Sequence, residues 1–242
     1  MVGLNIKSLI FTFLFVLTSI YPFYAAAKKP QERIETNSAY IYSAPTWLKR
    51  VRAEKIINRI QTELEWSIRR VPVYFHKTVE SFTKAHKLGP FVTAVSVMSD
   101  SGQTIHLGPM VTNDNFDEVF GHELVHIIIY QKYKEAIPKW LEEGLANHLA
   151  KKKLVDYKWL VKHELPKDVT VTLVHPLAKS YDDALFRYKA SQALAEMLSK
   201  KCDLTNLLRL SVERKMENYI ETYCEIKDLN AEFRKWVTKK AG

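Results

Sequence analysis

Residues 117–133 read DEVFGHELVHIIIYQKY, and this run decides both the fold and the chemistry of the chain. It predicts a helix over Asp117–Tyr133 that is buried along its apolar side. His122 and His126 stand four residues apart, so a helix places them on one face, where both can reach a single metal ion. Glu123 lies about 100° further round the helix. The run therefore predicts a metal site with a carboxylate beside it rather than in it.

A second acidic segment follows within a short distance. Residues 138–149 read PKWLEEGLANHL, at the start of a helix predicted over Pro138–Lys152. Sixteen residues separate His126 from Glu143, which lets the second helix turn back and present a carboxylate to the first. Spacing alone does not separate Glu143 from the neighbouring Glu142 as a third ligand.

Together these two segments resemble a known family. H-E-x-x-H followed by W-L-x-E-G-x-A is similar to the gluzincin metallopeptidases, the thermolysin and aminopeptidase superfamily, and more narrowly to small bacterial peptidase MA-like domains. The resemblance implies one zinc ion per chain, bound by His122, His126 and Glu143. Two imidazoles and one carboxylate leave a fourth position open, which is typical of catalytic zinc. Glu123 is then the general base for hydrolysis of a peptide bond by a zinc-activated water molecule.

The same resemblance suggests two supporting residues in the helical region. Asn147 stands four residues after Glu143, where related enzymes place a group that orients a zinc histidine. Tyr188, in a segment similar to the family's Tyr-x-x-Ser pattern, is the candidate electrophile for the developing oxyanion, with Tyr181 as its rival. His148, His163 and His175 are alternative ligands by residue type only.

The resemblance also implies a substrate strand just upstream of the zinc helix. Gln103–Leu107 is predicted to be the edge strand to which an extended peptide adds through main-chain hydrogen bonds. Its candidate substrate-binding residues are Gln103, Ile105, His106 and Leu107. The Gly-Ala-Met-Glu-Asn motif of aminopeptidases is missing, which favours cleavage inside a peptide or protein over trimming of its N-terminus.

The elements predicted along the chain define an α+β fold, a small mixed or antiparallel sheet lobe followed by a mainly helical lobe. The family would place its active-site cleft between the two lobes, as in thermolysin. One segment, Asp168–Val174, alternates valine and threonine and is predicted to be a strand or an extended connection. The predicted strands are Val71–Phe75, Phe91–Met98 and Gln103–Leu107, and the further helices are Ala53–Ser67, Thr78–Lys87, Tyr181–Ser199, Thr205–Tyr223 and Leu229–Lys239.

Domain boundaries follow from the start of the sequence. Residues 1–27 combine an early lysine, an apolar run and three alanines, which predicts a secretory signal peptide and an exported, periplasmic or secreted product. The apolar run is short for a bilayer span, so no stable span is expected after cleavage; retention as an anchor is the alternative. Residues 28–52 are assigned to an N-terminal extension. A single peptidase domain then covers residues 53–242, with an α/β lobe over 53–116 and a helical lobe over 117–242.

Composition excludes several classes of protein. With 242 residues, 47% of them apolar, and ordinary glycine and proline content, the chain is not disordered, fibrous or a multi-span membrane protein. The net charge is +9, but the basic residues are scattered and do not interleave with aromatic residues, so no nucleic-acid partner is expected. An anionic cell-envelope surface is a possible partner. Cys202 and Cys224 are predicted to form one disulfide, with two free thiols as the alternative.

Two other functions are compatible with the same residues. The first is an exported binding or interaction module that keeps the fold without turnover. The second is a peptidase that acts on peptidoglycan cross-links, where the basic charge would favour approach to an anionic wall.

Overall fold

The computed structural model describes residues 33–86, 92–99, 102–150, 154–173, 180–213 and 215–242. Within these residues the chain forms a five-stranded mixed sheet and a set of helices, two of which lie between strands while the others follow the last strand. The predicted α+β class is therefore confirmed. The predicted signal peptide, residues 1–27, lies outside the described residues. Among the helices that are described, none combines the length and apolar character needed to cross a bilayer.

The elements, in chain order, carry the labels used below. The strands are β1 (Arg33–Glu35), β2 (Ala39–Tyr42), β3 (Val71–Phe75), β4 (Ala94–Ser99) and β5 (Gly102–Leu107). The helices are α1 (Arg50–Glu63), α2 (Val79–His86), α3 (Phe116–Tyr133), α4 (Lys139–Leu149), α5 (Tyr157–Leu160), α6 (Val169–Thr172), α7 (Tyr181–Lys201), α8 (Leu204–Leu210), α9 (Met216–Thr222) and α10 (Leu229–Ala241).

The sheet order is β1-β2-β3-β5-β4. The pairs β2–β3 and β3–β5 are parallel, whereas β1–β2 and β4–β5 are antiparallel. β5 therefore lies between two neighbours, and β4 is one of the two edge strands of the sheet, with β1 at the other edge. The prediction that Gln103–Leu107 is the edge strand is wrong. The hairpin was predicted correctly, but the parallel pairing of β3 with β5 leaves the other strand of the hairpin outermost.

The sheet begins earlier in the chain than predicted. β1 and β2 belong to the segment 28–52, which was assigned to an extension before the domain. Ile34, Ile41 and Leu48 from this segment are buried in the core with the residues of the later strands. From Arg33 onward, then, the segment is part of the folded unit rather than an extension.

α3 occupies the centre of the fold, as its apolar sequence predicts. It packs against α1, α4 and β4, and twelve of its eighteen residues are buried. Its polar residues His122, Glu123 and Gln131 are buried along with its apolar ones, so their hydrogen bonds must be made inside the protein. The fully buried aromatic side chains Phe116 and Phe120 stack on one another at its first turns.

Two predictions of secondary structure are corrected. The helix predicted over Thr205–Tyr223 is two short helices, α8 and α9, because α8 ends at Leu210 and the backbone of Lys215, with ψ at 134°, is not helical before α9 begins. The segment Asp168–Val174 forms a single helical turn over α6; Val174 itself lies outside the described residues. There the carboxylate of Asp168 accepts a hydrogen bond from the backbone N–H of Thr170. This capping bond outweighs the strand preference of alternating valine and threonine.

The predicted disulfide between Cys202 and Cys224 is confirmed, and it joins the end of α7 to the residues after α9. Reduction is expected to lower the melting temperature, because a bridge that spans 22 residues constrains the unfolded chain. The chain-entropy model gives about 3 kcal/mol, or roughly 6–12 °C for a chain of this size. Melting with and without reductant measures the shift. A Cys202→Ser, Cys224→Ser double variant is the control, which should melt at the lower temperature in both conditions.

Three histidines gather beside the outer face of the sheet, away from α3. His76 Nε2 lies 2.9 Å from His106 Nδ1, and the ring of His106 stacks on Tyr74 with centroids 5.3 Å apart. Burial, with His76 and His86 nearby, lowers the pKa of His106 to about 4 from its ordinary value near 6.5. Folded protein thus keeps this imidazole neutral in a pH range where the unfolded chain takes up a proton.

The stability of the fold is therefore expected to fall as the pH drops from 6.5 towards 4, since protons then bind preferentially to the unfolded state. For a half-exposed imidazole, solvent screening reduces the effect to about 2 kcal/mol. Denaturant unfolding at pH 7 and pH 4.5 measures it, and the loss should be smaller in His106→Gln. Equal losses in the variant and the wild type would show that His106 does not carry the effect.

Candidate metal centre

The two histidines of α3 meet at their Nε2 atoms. Their side chains point from successive turns of the helix, and His122 Nε2 lies 3.1 Å from His126 Nε2. Both imidazoles are largely shielded from solvent by the packing around α3. The four-residue spacing on a helix accounts for this convergence without any further constraint.

α4 brings a carboxylate to the same point. Glu143 Oε2 lies 3.4 Å from His122 Nε2, and Glu143 Oε1 lies 3.6 Å from His126 Nε2. His122, His126 and Glu143 thus form a group of side chains that could hold a metal ion. The structure brings together the three ligands that the sequence predicted. The choice between the two adjacent glutamates is also decided, because Glu143 is the one that faces both Nε2 atoms.

Glu142 has a different position. Its Oε1 lies 2.8 Å from His126 Nδ1, and its Oε2 accepts a hydrogen bond from Lys139 Nζ at 2.6 Å. Burial acts to raise the pKa of Glu142, but its bonds to His126 and Lys139 hold that pKa below the ordinary value. Glu142 therefore fixes the ring of His126 and leaves Nε2 of that ring for a metal ion. Sequence reasoning considered Glu142 only as a rival ligand.

Glu142→Gln is expected to weaken zinc binding about tenfold to a hundredfold, the usual effect of removing a group that orients a metal histidine. The amide keeps the size of the side chain but loses the charge that favours a proton on Nδ1. Competition with a chromophoric chelator measures the affinity. Lys139→Met, which leaves Glu142 itself in place, should have a smaller effect; the interpretation is contradicted if Glu142→Gln binds zinc like the wild type.

The electrostatics of the centre favour positive charge. Burial on its own lowers the pKa of His126, but Glu143, Glu142 and Glu123 together raise it to about 9. The three carboxylates stabilise a positive charge on the imidazole of His126. A divalent cation bound between the side chains would be stabilised by the same negative charges.

Glu123 stands beside the three ligands and is buried. Its Oε2 accepts a hydrogen bond from the hydroxyl of Ser96 at 2.7 Å. The charge of Glu123 acts on both His126 and Tyr188, so it lies near the centre without belonging to the ligand group. Sequence reasoning missed Ser96, which comes from the edge strand β4 and belongs to no motif.

Tyr188 also lies at the centre. Its ring centroid is 6.4 Å from that of His122, in an edge-on arrangement. Burial raises the pKa of Tyr188, and the carboxylates of Glu143 and Glu123 raise it further, so the hydroxyl keeps its proton at neutral pH. The rival Tyr181, at the first residue of α7, is 62% exposed and is not part of this cluster.

The orienting role predicted for Asn147 stays a prediction. Its Nδ2 donates to the backbone oxygen of Tyr188 at 3.4 Å, and its Oδ1 has no hydrogen-bond partner in the described part of the chain. Asn147 is buried where α4 packs on α7, so the register of this packing directs its amide to the α7 backbone. The carboxylate that bonds to Nδ1 of His126 is that of Glu142.

The other predicted site residues that the structure describes do not reach the centre. The charges that act on His148 are those of Glu196, Glu63 and Lys200, and His163 stacks against Trp159 and Phe186. His175 lies outside the described residues. The four residues predicted to bind substrate belong to the interior strand β5: Ile105 and Leu107 are fully buried, Gln103 bonds with Gln131, and His106 bonds with His76.

Comparison of the sequence with protein-family models and with curated proteins finds no match.

Proposed function

We propose that the chain is an exported, zinc-dependent metallopeptidase of the gluzincin type, similar to the peptidase MA-like domains. Its substrates are peptides or proteins, which it cleaves internally. The proposal includes a thermolysin-like arrangement, with the substrate cleft next to α3, and a periplasmic or secreted location.

One observation carries the proposal, namely the spacing of the ligand atoms. The Nε2 atoms of His122 and His126 are 3.1 Å apart. The carboxylate oxygen of Glu143 nearest to each nitrogen lies 3.4 Å from the first of them and 3.6 Å from the second. Two ligands of a tetrahedral zinc ion stand about 3.3 Å apart when each is roughly 2.0–2.1 Å from the metal. Two nitrogens and one carboxylate are also a donor set that zinc accepts, and three protein ligands leave one position for substrate chemistry.

The remaining residues of the centre fit the roles that peptide hydrolysis requires. Zinc, when bound, supplies Lewis acidity that activates water and the scissile carbonyl. The buried Glu123 carboxylate takes the proton from the attacking water and passes it to the departing amine. Tyr188, whose hydroxyl stays protonated, donates a hydrogen bond to the oxyanion as the carbonyl becomes tetrahedral. Glu142 keeps His126 in the tautomer that leaves Nε2 for the metal.

Two features support an exported location. The disulfide Cys202–Cys224 is of the kind that persists in oxidising compartments. The sequence of residues 1–27 has the pattern of a secretory signal. The net positive charge would favour contact with an anionic cell-envelope surface after export.

The test compares the wild type with Glu123→Gln and Glu118→Gln, two isosteric changes on the same helix. Each protein is loaded with zinc, assayed for bound metal and incubated with labelled casein. All three should bind one zinc ion, and only Glu123→Gln should lose cleavage, by about a thousandfold or more for a general base. Cleavage by Glu123→Gln at the wild-type rate would overturn the mechanism.

Purified cell-wall material forms the second arm of this experiment. Cleavage of wall peptides with no cleavage of casein would replace the general peptidase by a cross-link peptidase. Zinc binding with no hydrolysis of either substrate would indicate a binding module instead.

A further inference from the structure

Ser96 lies on the edge strand β4, and its side chain reaches the buried Glu123 beside the metal centre. It lies in the middle of β4, where Val95 and Val97 pair in register with His106 and Thr104 on the outer face of the sheet. Ser96 therefore projects from the opposite face, towards α3, and pairs in register with the fully buried Ile105. A small polar residue at a position that packs on a buried helix needs a partner for its hydroxyl.

The partner is the candidate general base. Ser96 Oγ lies 2.7 Å from Glu123 Oε2 and 3.0 Å from the backbone oxygen of the same residue. A serine hydroxyl has a single proton, and the shorter contact is the one to the side-chain oxygen of Glu123. Ser96 thus holds the carboxylate at a defined place relative to α3.

We propose that Ser96 is the positioning residue for Glu123. Its hydroxyl fixes one carboxylate oxygen, so that the carboxylate stays beside the ligand group formed by His122, His126 and Glu143. The inference rests on the proposed function, in which Glu123 is the general base.

Two properties of the centre make such a hydrogen bond necessary. First, Glu123 is buried, so bulk water does not replace a hydrogen bond that its carboxylate loses. Second, Glu143 carries a like charge close enough for both carboxylates to act on Tyr188, and their repulsion favours rotation of Glu123 away from the ligands. A glutamate side chain has several rotatable bonds, and a base must be held within a fraction of an ångström of its proton.

A matched pair of variants distinguishes the effect of losing the hydroxyl from the effect of changing the size of the side chain. Ser96→Thr keeps the hydroxyl and adds a methyl group, whereas Ser96→Val has the same shape as threonine without the hydroxyl. Both residues are favourable in a strand, so the comparison is free of a backbone effect. For zinc-loaded protein, kcat and KM are measured on a labelled peptide, with bound zinc determined on the same samples.

Ser96→Val is expected to lower kcat about tenfold to a hundredfold, the range for loss of a hydrogen bond to a charged group. KM and zinc content should stay within about twofold of the wild type, because both hydrogen bonds of Ser96 go to Glu123 and not to the ligand group. Ser96→Thr should restore kcat to within about threefold of the wild type. A KM increase with unchanged kcat, or equal loss in both variants, would overturn the proposal.

A thermal double-mutant cycle on zinc-free protein gives a measurement that does not depend on activity. Ser96→Val is expected to melt several degrees below Ser96→Thr when Glu123 is present. The difference should be clearly smaller when Glu123 is replaced by alanine, where the hydroxyl can donate only to the backbone oxygen of residue 123. Equal differences in the two backgrounds would show that the hydroxyl does not act through Glu123. If the wild type hydrolyses no substrate, the proposed peptidase function is wrong. Coupling in the thermal cycle would then show only that Ser96 holds Glu123 in place, without a role in catalysis.

Discussion

Replacing His126 with alanine is expected to remove both zinc binding and hydrolysis. The variant loses one of three metal ligands and leaves Glu142 and Glu143 without the imidazole they share. If a structural zinc site gains about 10–16 kcal/mol from four ligands, one ligand contributes roughly 3 kcal/mol, or at least a hundredfold in affinity. Metal analysis after dialysis against a weak chelator should find about one zinc per chain in the wild type and close to none in the variant.

His148→Ala is the matched control for this loss. His148 lies on α4, close to the ligand Glu143 in sequence, but the charges acting on it come from Glu196, Glu63 and Lys200. The control should keep its zinc and its activity. If His126→Ala retains wild-type zinc while His148→Ala loses it, the ion binds elsewhere and the proposed centre is wrong.

The ligand group could be predicted from the sequence because its geometry is local. Two histidines four residues apart share a face on any helix, and the apolar residues around them ensure that the helix is buried. Glu143 follows on the next helix after a short connection, so few arrangements are possible. Burial and helical spacing together account for the pair His122 and His126, whereas the choice of Glu143 over Glu142 came from the family resemblance.

The supporting residues depend on angles and pairings that the sequence does not state. Adjacent glutamates differ by about 100° around a helix, and only the rotation of α4 against α3 decides that Glu143 meets the Nε2 atoms while Glu142 meets Nδ1. Ser96 is distant from Glu123 in sequence, and its contact exists because β4 packs along α3.

The strand order was missed for the same reason. The hairpin β4–β5 has a local signal in its alternating residues and its turn, but β3 reaches β5 only after α2 and β4 have intervened in the chain. A parallel pairing of this kind leaves no local signature. β1 and β2 are three and four residues long, too short for alternation to be distinguished from a loop.

Gly144→Ala is expected to be the most destabilising single-methyl change near the centre. A Cβ atom at Gly144 would lie 2.1 Å from the backbone oxygen of Ser191 and 2.8 Å from its carbonyl carbon, so α4 and α7 would have to separate. The obstacle is backbone and cannot move aside as a side chain could. Overpacking of this kind costs about 1–3 kcal/mol or more, and the roughly 1 kcal/mol that alanine gains in helix propensity offsets it only in part.

The separation of the two helices should also affect the metal. Glu143 directly precedes Gly144 on α4. Tyr188 lies on α7, and its backbone oxygen accepts a hydrogen bond from Asn147 of α4. A shift of α4 therefore moves a ligand as well as the core. We expect the melting temperature to fall by roughly 4–8 °C for a net loss of about 2 kcal/mol, together with weaker zinc binding.

Gly121→Ala is the matched control for Gly144→Ala. Gly121 is also helical and also adjacent to a ligand, His122, but a Cβ there would meet only the flexible end of Arg59 at 3.3 Å and Ala150 at 3.6 Å. Because Arg59 can shift by a few tenths of an ångström, the gain in helix propensity should leave stability within about 1 kcal/mol of the wild type. If both variants melt alike, the close approach of α4 to α7 at Ser191 does not determine the stability of the centre, and the placement of Glu143 by that packing is contradicted.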